Sequence, residues 1–184
     1  MTPDDRDTER FFVNDPGEHS REITPDDRRF MELALEEARR AAAEGEVPVG
    51  AVAVQNGIVV AAAHNLVEAR KSVSAHAEFE VLRALEARTG DWRMSDFTFY
   101  VTKEPCPMCA GMLVNARVAR IVFGAPDPAG GGCGGALDIP GTPGMLWHPE
   151  VVGGVMAAES VELLREFFRA ARSRRTSPAI SKEK

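Results

Sequence analysis

Apolar positions Phe30, Leu33, Ala34, Ala38 and Ala41 recur at three- and four-residue intervals, the spacing of one helix face. Thr24-Pro25-Asp26-Asp27 opens that stretch with a hydroxyl cap, a proline at the first position and acids in the first turn, and Gly45 closes it. Val49–Gln55 and Ile58–Ala63 flank Asn56-Gly57, a pair that supplies the positive φ angles of a tight hairpin turn. Ala75–Arg88 predicts a second helix with Phe79, Leu82 and Leu85 inward. Asp96–Thr102 is β-rich, Pro107–Asn115 helical, and Ala119–Gly124 a short apolar strand. Pro126–Gly144 is too rich in glycine and proline for anything but a long loop. Val151–Val155 predicts a brief strand, and Ala157–Arg172 a closing amphipathic helix carrying Leu163, Leu164, Phe167 and Phe168.

Helices that separate strands imply crossover connections, so part of the sheet is parallel while the hairpin is antiparallel. The pattern predicts an α/β fold, a three-layer α/β/α sandwich on a mixed central sheet. Residues 1–24 are polar and aperiodic and predict a flexible acidic arm. Residues 25–172 predict one domain, and residues 173–184 a basic tail.

A chain of 184 residues with 44% apolar and 27% charged residues can bury a core without disulfide staples. The longest apolar run, Val47–Val54, is far short of the roughly 18 residues of a membrane span. No signal-peptide pattern opens the sequence, so a cytoplasmic location and no membrane partner are expected. Three cysteines in such a compartment point to packing, metal or reactivity. The net charge of −6 argues against a general nucleic-acid binder, but charge is segregated. Residues 1–26 hold eight acids and three arginines, whereas residues 169–184 hold six bases, among them Arg169, Arg172, Arg174 and Arg175, and one acid. That basic end is the candidate contact for an anionic partner.

Two segments carry the candidate chemistry, Ser74-Ala-His76-Ala-Glu78 and Glu104-Pro-Cys106-Pro-Met-Cys109, each opening a predicted helix. Cys106 and Cys109 share one side of a helical turn, and Pro107 at the first helical position makes Cys106 the cap. The positive helix end favours thiolate, the metal-binding form of cysteine. His76, Cys106 and Cys109 therefore supply three ligands, which leave a tetrahedral zinc one open position, as in catalytic sites. Glu78, two residues from the histidine, suits a proton carrier beside that position. A purely structural zinc module, the non-enzymatic alternative, has no use for a carboxylate there.

Taken together, these motifs resemble the zinc-dependent cytidine and adenosine deaminase superfamily, in particular the bacterial tRNA adenosine deaminases. Glu46–Ala51, Thr102–Gly111, Ala116–Ala125 and Leu163–Arg169 carry the likeness, with Asn65 eleven residues before His76; it extends from Arg28 to Arg172. It implies a cytidine-deaminase-like fold, one zinc per chain on His76, Cys106 and Cys109, and catalysis by Glu78. It further implies substrate contacts from Asn65, the backbone of Ala77 and Asp127, a tRNA anticodon stem-loop as partner, and a homodimer. Lys103, Phe79, Glu80 and the stretches Gly135–Asp138 and Trp147-His148 depart from the usual family pattern. Together with the acidic balance, that altered loop keeps open a deaminase of free guanine or another nucleobase or nucleoside.

The remaining candidates carry less chemistry. Gly130–Gly135 satisfies a dinucleotide-loop pattern, but Pro140 and Pro143 forbid the helix that must follow. Cys133 reads as a bystander in a flexible loop, His64 and His148 as hydrogen-bonded structural residues, and Glu80 as a solvated helix residue. His19 falls in the arm.

Overall fold

A computed structural model describes residues 22–176, with the side chains of residues 175 and 176 left out of the description. The acidic arm up to residue 21, His19 included, and the tail beyond residue 176 lie outside the described residues. The elements are α1 (Pro25–Glu44), β1 (Gly50–Gln55), β2 (Ile58–His64), α2 (Val67–Arg70), α3 (Ala77–Thr89), β3 (Phe97–Lys103), α4 (Pro107–Asn115), β4 (Arg120–Ala125), β5 (Glu150–Val152) and α5 (Ala157–Thr176).

The five strands form one sheet in the order β2-β1-β3-β4-β5. β1 pairs antiparallel with both β2 and β3, and β3, β4 and β5 run parallel. Because β1 opposes both neighbours, β2 and β3 point the same way and leave the sheet at the same edge. On one face Ala77, Val81 and Leu85 of α3 and Ala110 and Leu113 of α4 bury against Ala53, Phe99, Val101 and Ile121. On the other face Phe30, Met31 and Ala34 of α1 pack on Val52, Tyr100 and Val122, and α5 lies along β4 and touches α1. This is the three-layer α/β/α sandwich on a mixed sheet that the pattern predicts.

Gly50 shows how tightly the layers meet. A Cβ there would stand 2.1 Å from the Ala34 carbonyl oxygen, so only glycine lets β1 start beneath α1. The hairpin turns where expected, with Asn56 and Gly57 both at positive φ. Four details differ from the sequence reading. α3 starts two residues late because His76 keeps extended backbone angles as its cap. β5 stops at Val152, since Gly154 and Met156 take positive φ and turn the chain into α5. The short α2 was not anticipated, having too few residues to show a period. Phe79 is only half-buried and lies under the Arg83 guanidinium, while Val81 takes the inward position. Among the described residues, no helix is long and apolar enough to cross a membrane.

One buried polar cluster fastens α1 to the sheet. Asp27 closes a capping box with Thr24 and accepts hydrogen bonds from Tyr100 Oη at 3.1 Å and from both terminal nitrogens of Arg120. Burial pushes the Asp27 carboxyl up, but the bonds from Arg120 and Thr24 outweigh it and hold its pKa below the ordinary value. Asp27→Asn should therefore cost about 1–3 kcal/mol at neutral pH, because it removes the charged acceptor of Arg120 and leaves the guanidinium, among the described residues, only Glu150, at 3.6 Å. A depressed carboxyl pKa stabilises the fold above the unfolded value, near 3.8, and ceases to do so as pH falls through the folded value. Urea titrations should show the gap between the two proteins shrinking below about pH 4; a gap constant down to pH 2 contradicts this assignment.

Candidate metal centre

His76 and Cys106 are the N-caps of α3 and α4, with ψ of 153° and 167°, and Pro107 occupies the first position of α4. Both helices thus present their positive ends to one point. His76 Nδ1 lies 3.7 Å from Cys106 Sγ and 3.4 Å from Cys109 Sγ. Tetrahedral zinc with Zn–S near 2.3 Å and Zn–N near 2.05 Å requires S···N separations of about 3.6 Å. The donor set fits in kind and in spacing, and among the described residues His76, Cys106 and Cys109 form the one cluster of this type.

The electrostatics make Cys106 the thiolate of the pair, while the hydrogen bond to Cys106 and burial push the Cys109 thiol up. Hydrogen bonding from Cys109 lowers the Cys106 pKa to about 4 against the opposing effect of burial, and His76 adds to the lowering. The same contact with Cys106 raises His76. Glu78, 3% exposed in the first turn of α3, has its pKa raised by burial. A carboxyl that burial biases toward the neutral form, two residues from a metal ligand, is suited to accept and return a proton.

The other residues expected to contact substrate sit on neighbouring segments. Asn65 is buried just past the end of β2, and Leu66 N–H donates to Ala75 O at 2.9 Å, which sets the Asn65 segment beside the loop that enters His76. Ala77 is fully buried at the start of α3. Asp127 follows β4; its carboxylate pairs with Lys103 and accepts from the Ala129 and Gly130 amides at 3.2 and 3.0 Å.

Two buried acids went unread in the sequence. Glu104 accepts from the backbone N–H groups of Asp127, Cys133 and Gly135 at 2.8–3.0 Å and so ties the long loop to the start of α4. A Cβ on Gly131 or Gly135 would strike the Glu104 carboxylate, which explains the glycine run as a close approach and not a phosphate cradle. Glu46 binds the residues around α2 in the same manner. Their signal was an acid beside a proline and an apolar run, where a charge is expected only if it has fixed partners.

Two expectations need correction. Glu80 is not solvated; it is buried, with Arg70 from the end of α2 at 2.6 Å and Arg83, three residues along α3, also paired to it. Cys133 is buried and bridged to Asp138, and burial pushes its thiol pKa up. His64 is hydrogen-bonded as expected, to Glu37 and Glu44, and His148 to the Pro140 carbonyl.

The comparisons agree with this geometry. The profile of the MafB19-like deaminase family matches residues 25–172. A tRNA-specific adenosine deaminase of Bacillus subtilis (strain 168) is 44% identical over 149 residues, covering 81% of this chain and 92% of its own. A solved structure from a study of A-to-I editing by tRNA:A34 deaminases at the wobble position superposes with a TM-score of 0.72. It is 41% identical, over 74% of this chain and 99% of that one. The guanine deaminase structure from Bacillus subtilis gives a TM-score of 0.52 at 29% identity, over 56% of this chain and 66% of that one.

Cys106→Ala and Cys109→Ala should each lose most of the single equivalent of metal bound per chain, measured by inductively coupled plasma mass spectrometry after dialysis. Full retention by both variants contradicts the ligand set.

Proposed function

The chain belongs to the MafB19-like deaminase family, and on that footing we propose that it is a zinc-dependent tRNA adenosine deaminase, a hydrolase that converts the wobble adenosine of an anticodon stem-loop to inosine. The observation that carries the reading is the joining of a three-ligand His/Cys/Cys site to a buried Glu78 in one helix turn. The extent of identity to the Bacillus subtilis tRNA deaminase favours tRNA over free guanine.

His76, Cys106 and Cys109 hold one zinc per chain in this reading. Bound there, zinc acidifies a water and stabilises negative charge that develops on the substrate. Glu78 takes the proton from the attacking water and passes it to N1 of the purine, which makes C6 electrophilic. The water oxygen adds at C6. The carboxylate of Glu78, having given its first proton to N1, takes the remaining proton from the new C6 hydroxyl and delivers it to the amine. The C6 carbonyl forms, the C–N bond breaks, ammonia leaves and inosine remains. Asn65 and the Ala77 backbone contact the base edge, an amide offering a donor and an acceptor together. Asp127, at the start of the long loop, borders the substrate. An anticodon loop presents its bases unpaired, which lowers the cost of extruding the target.

The division into an acidic arm (1–24), a deaminase domain (25–172) and a basic tail (173–184) follows the segregation of charge. Arg169, Arg172 and Arg174 are exposed along the last turns of α5, where they can meet phosphates; the side chain of Arg175 lies outside the described residues. A homodimer and a cytoplasmic location complete the reading.

Glu78→Gln should retain zinc and fold while losing about 10²–10⁴-fold in turnover; near-normal turnover removes Glu78 from proton transfer. The substrate is tested by ammonia release from an adenosine-34 tRNA, guanine and cytidine in parallel. Release from tRNA alone is expected, and release from guanine but not tRNA overturns the reading in favour of the free-base alternative.

Reversing the charge of Arg169, Arg172, Arg174 and Arg175 should weaken tRNA binding and reduce the salt slope by about 0.7–0.9 per lost phosphate contact. An unchanged slope removes this helix end from the RNA surface.

A further inference from the structure

Glu46, 2% exposed, stands between α1 and β1 with no part in metal binding or proton transfer. Its Oε2 accepts from Asn65 Nδ2 at 3.1 Å and from Glu68 N–H at 3.1 Å, and its Oε1 accepts from Ala69 N–H at 2.6 Å. Three donors converge on one carboxylate, two from the start of α2 and one from the side chain just past the end of β2.

The third donor has a consequence for recognition. A carboxamide can turn over by half a rotation with almost no change of shape, exchanging its donor end for its acceptor end. An ionised carboxylate only accepts. Beside Glu46 the Asn65 amide is therefore confined to the orientation with Nδ2 toward the carboxylate; the reverse would set Oδ1 against Glu46 oxygens. The backbone of the same segment is fixed as well, with Asn65 N–H donating to Val49 O at 2.9 Å and Leu66 N–H to Ala75 O at 2.9 Å.

We propose that Glu46 is a positioning residue for base recognition: it holds the Asn65 amide in one of its two orientations and so sets the hydrogen-bond pattern shown to the substrate base. The inference rests on the reading of Asn65 as a base contact given above. Glu46 touches neither the metal ligands nor Glu78, so its loss should be felt in substrate binding more than in the proton transfers. A glutamine in its place offers an amide of its own, and both orientations of Asn65 then find a partner.

The test is a double-mutant cycle of Glu46→Gln and Asn65→Ala, reading kcat and KM on an adenosine-34 anticodon stem-loop, with zinc content and Tm measured on each protein. Glu46→Gln should raise KM with less effect on kcat, lowering kcat/KM by about tenfold, the scale of one well-made base-edge contact. In the Asn65→Ala background it should change kcat/KM by less than twofold, because the group it positions is gone. If the two losses multiply, Glu46 acts on the fold or elsewhere and the proposal is overturned. Should Glu46→Gln lose zinc or melt early, Glu46→Asp, whose shorter side chain withdraws the carboxylate from Asn65, goes through the same cycle, and a loss in kcat/KM that persists in the Asn65→Ala background overturns the proposal. If Asn65→Ala alone leaves kcat/KM unchanged, Asn65 is no base contact and the positioning role falls with it. That outcome leaves the deaminase reading intact, since the parent's activity on the stem-loop tests that reading separately.

Discussion

Two helices must begin at one point, and the rest of the molecule is arranged around that requirement. β1 runs against both β2 and β3, so the chain leaves β2 and β3 at the same edge of the sheet. α3 is reached from β2 by way of α2, and α4 directly from β3. Their caps, His76 and Cys106, meet there with Cys109 one turn into α4. The aligned peptide dipoles of two helices favour negative charge at that junction, which suits thiolates and a nucleophile derived from water. The opposite face does the anchoring: α1 is held to β3 and β4 by Asp27, Tyr100 and Arg120, far along the sheet from the chemistry.

Helix ends alone leave the connecting loops undetermined, and buried carboxylates settle them. Glu46 gathers the turn after β2, and Glu104 gathers the loop after β4, each by accepting backbone N–H groups of those segments. Both acids flank the metal ligands in the fold. Their desolvation is offset by several hydrogen bonds each, which makes the surrounding backbone rigid at little cost in apolar contact. Glycines at 131 and 135 are the counterpart of this device, since any side chain would displace the Glu104 carboxylate.

Most of the sandwich was legible because its signals are local. The capping box at Thr24, the Asn56-Gly57 turn and Pro107 after Cys106 each act within four residues and appear where expected. The metal ligands were legible for a different reason: few residue types bind metal, and three of them stand at helix starts. What the sequence hid depends on contacts between distant segments. Glu80 reads as a surface acid until α2 brings Arg70 onto it. Glu46 and Glu104 find their partners 19 to 31 residues away, a separation at which no spacing rule operates. Cys133 read as a bystander in a flexible loop because a glycine-rich stretch suggests freedom, whereas the loop is packed against α4.

The central claim is that this junction holds a metal by three protein ligands and keeps a fourth position for chemistry. X-ray absorption at the zinc edge of the loaded protein tests it directly. The account predicts two sulfur ligands near 2.3 Å, one imidazole nitrogen near 2.0–2.1 Å and one further light atom supplied by solvent. A shell of three sulfurs, or a second imidazole in the fourth place, would mean that the site is closed, and would contradict a catalytic role.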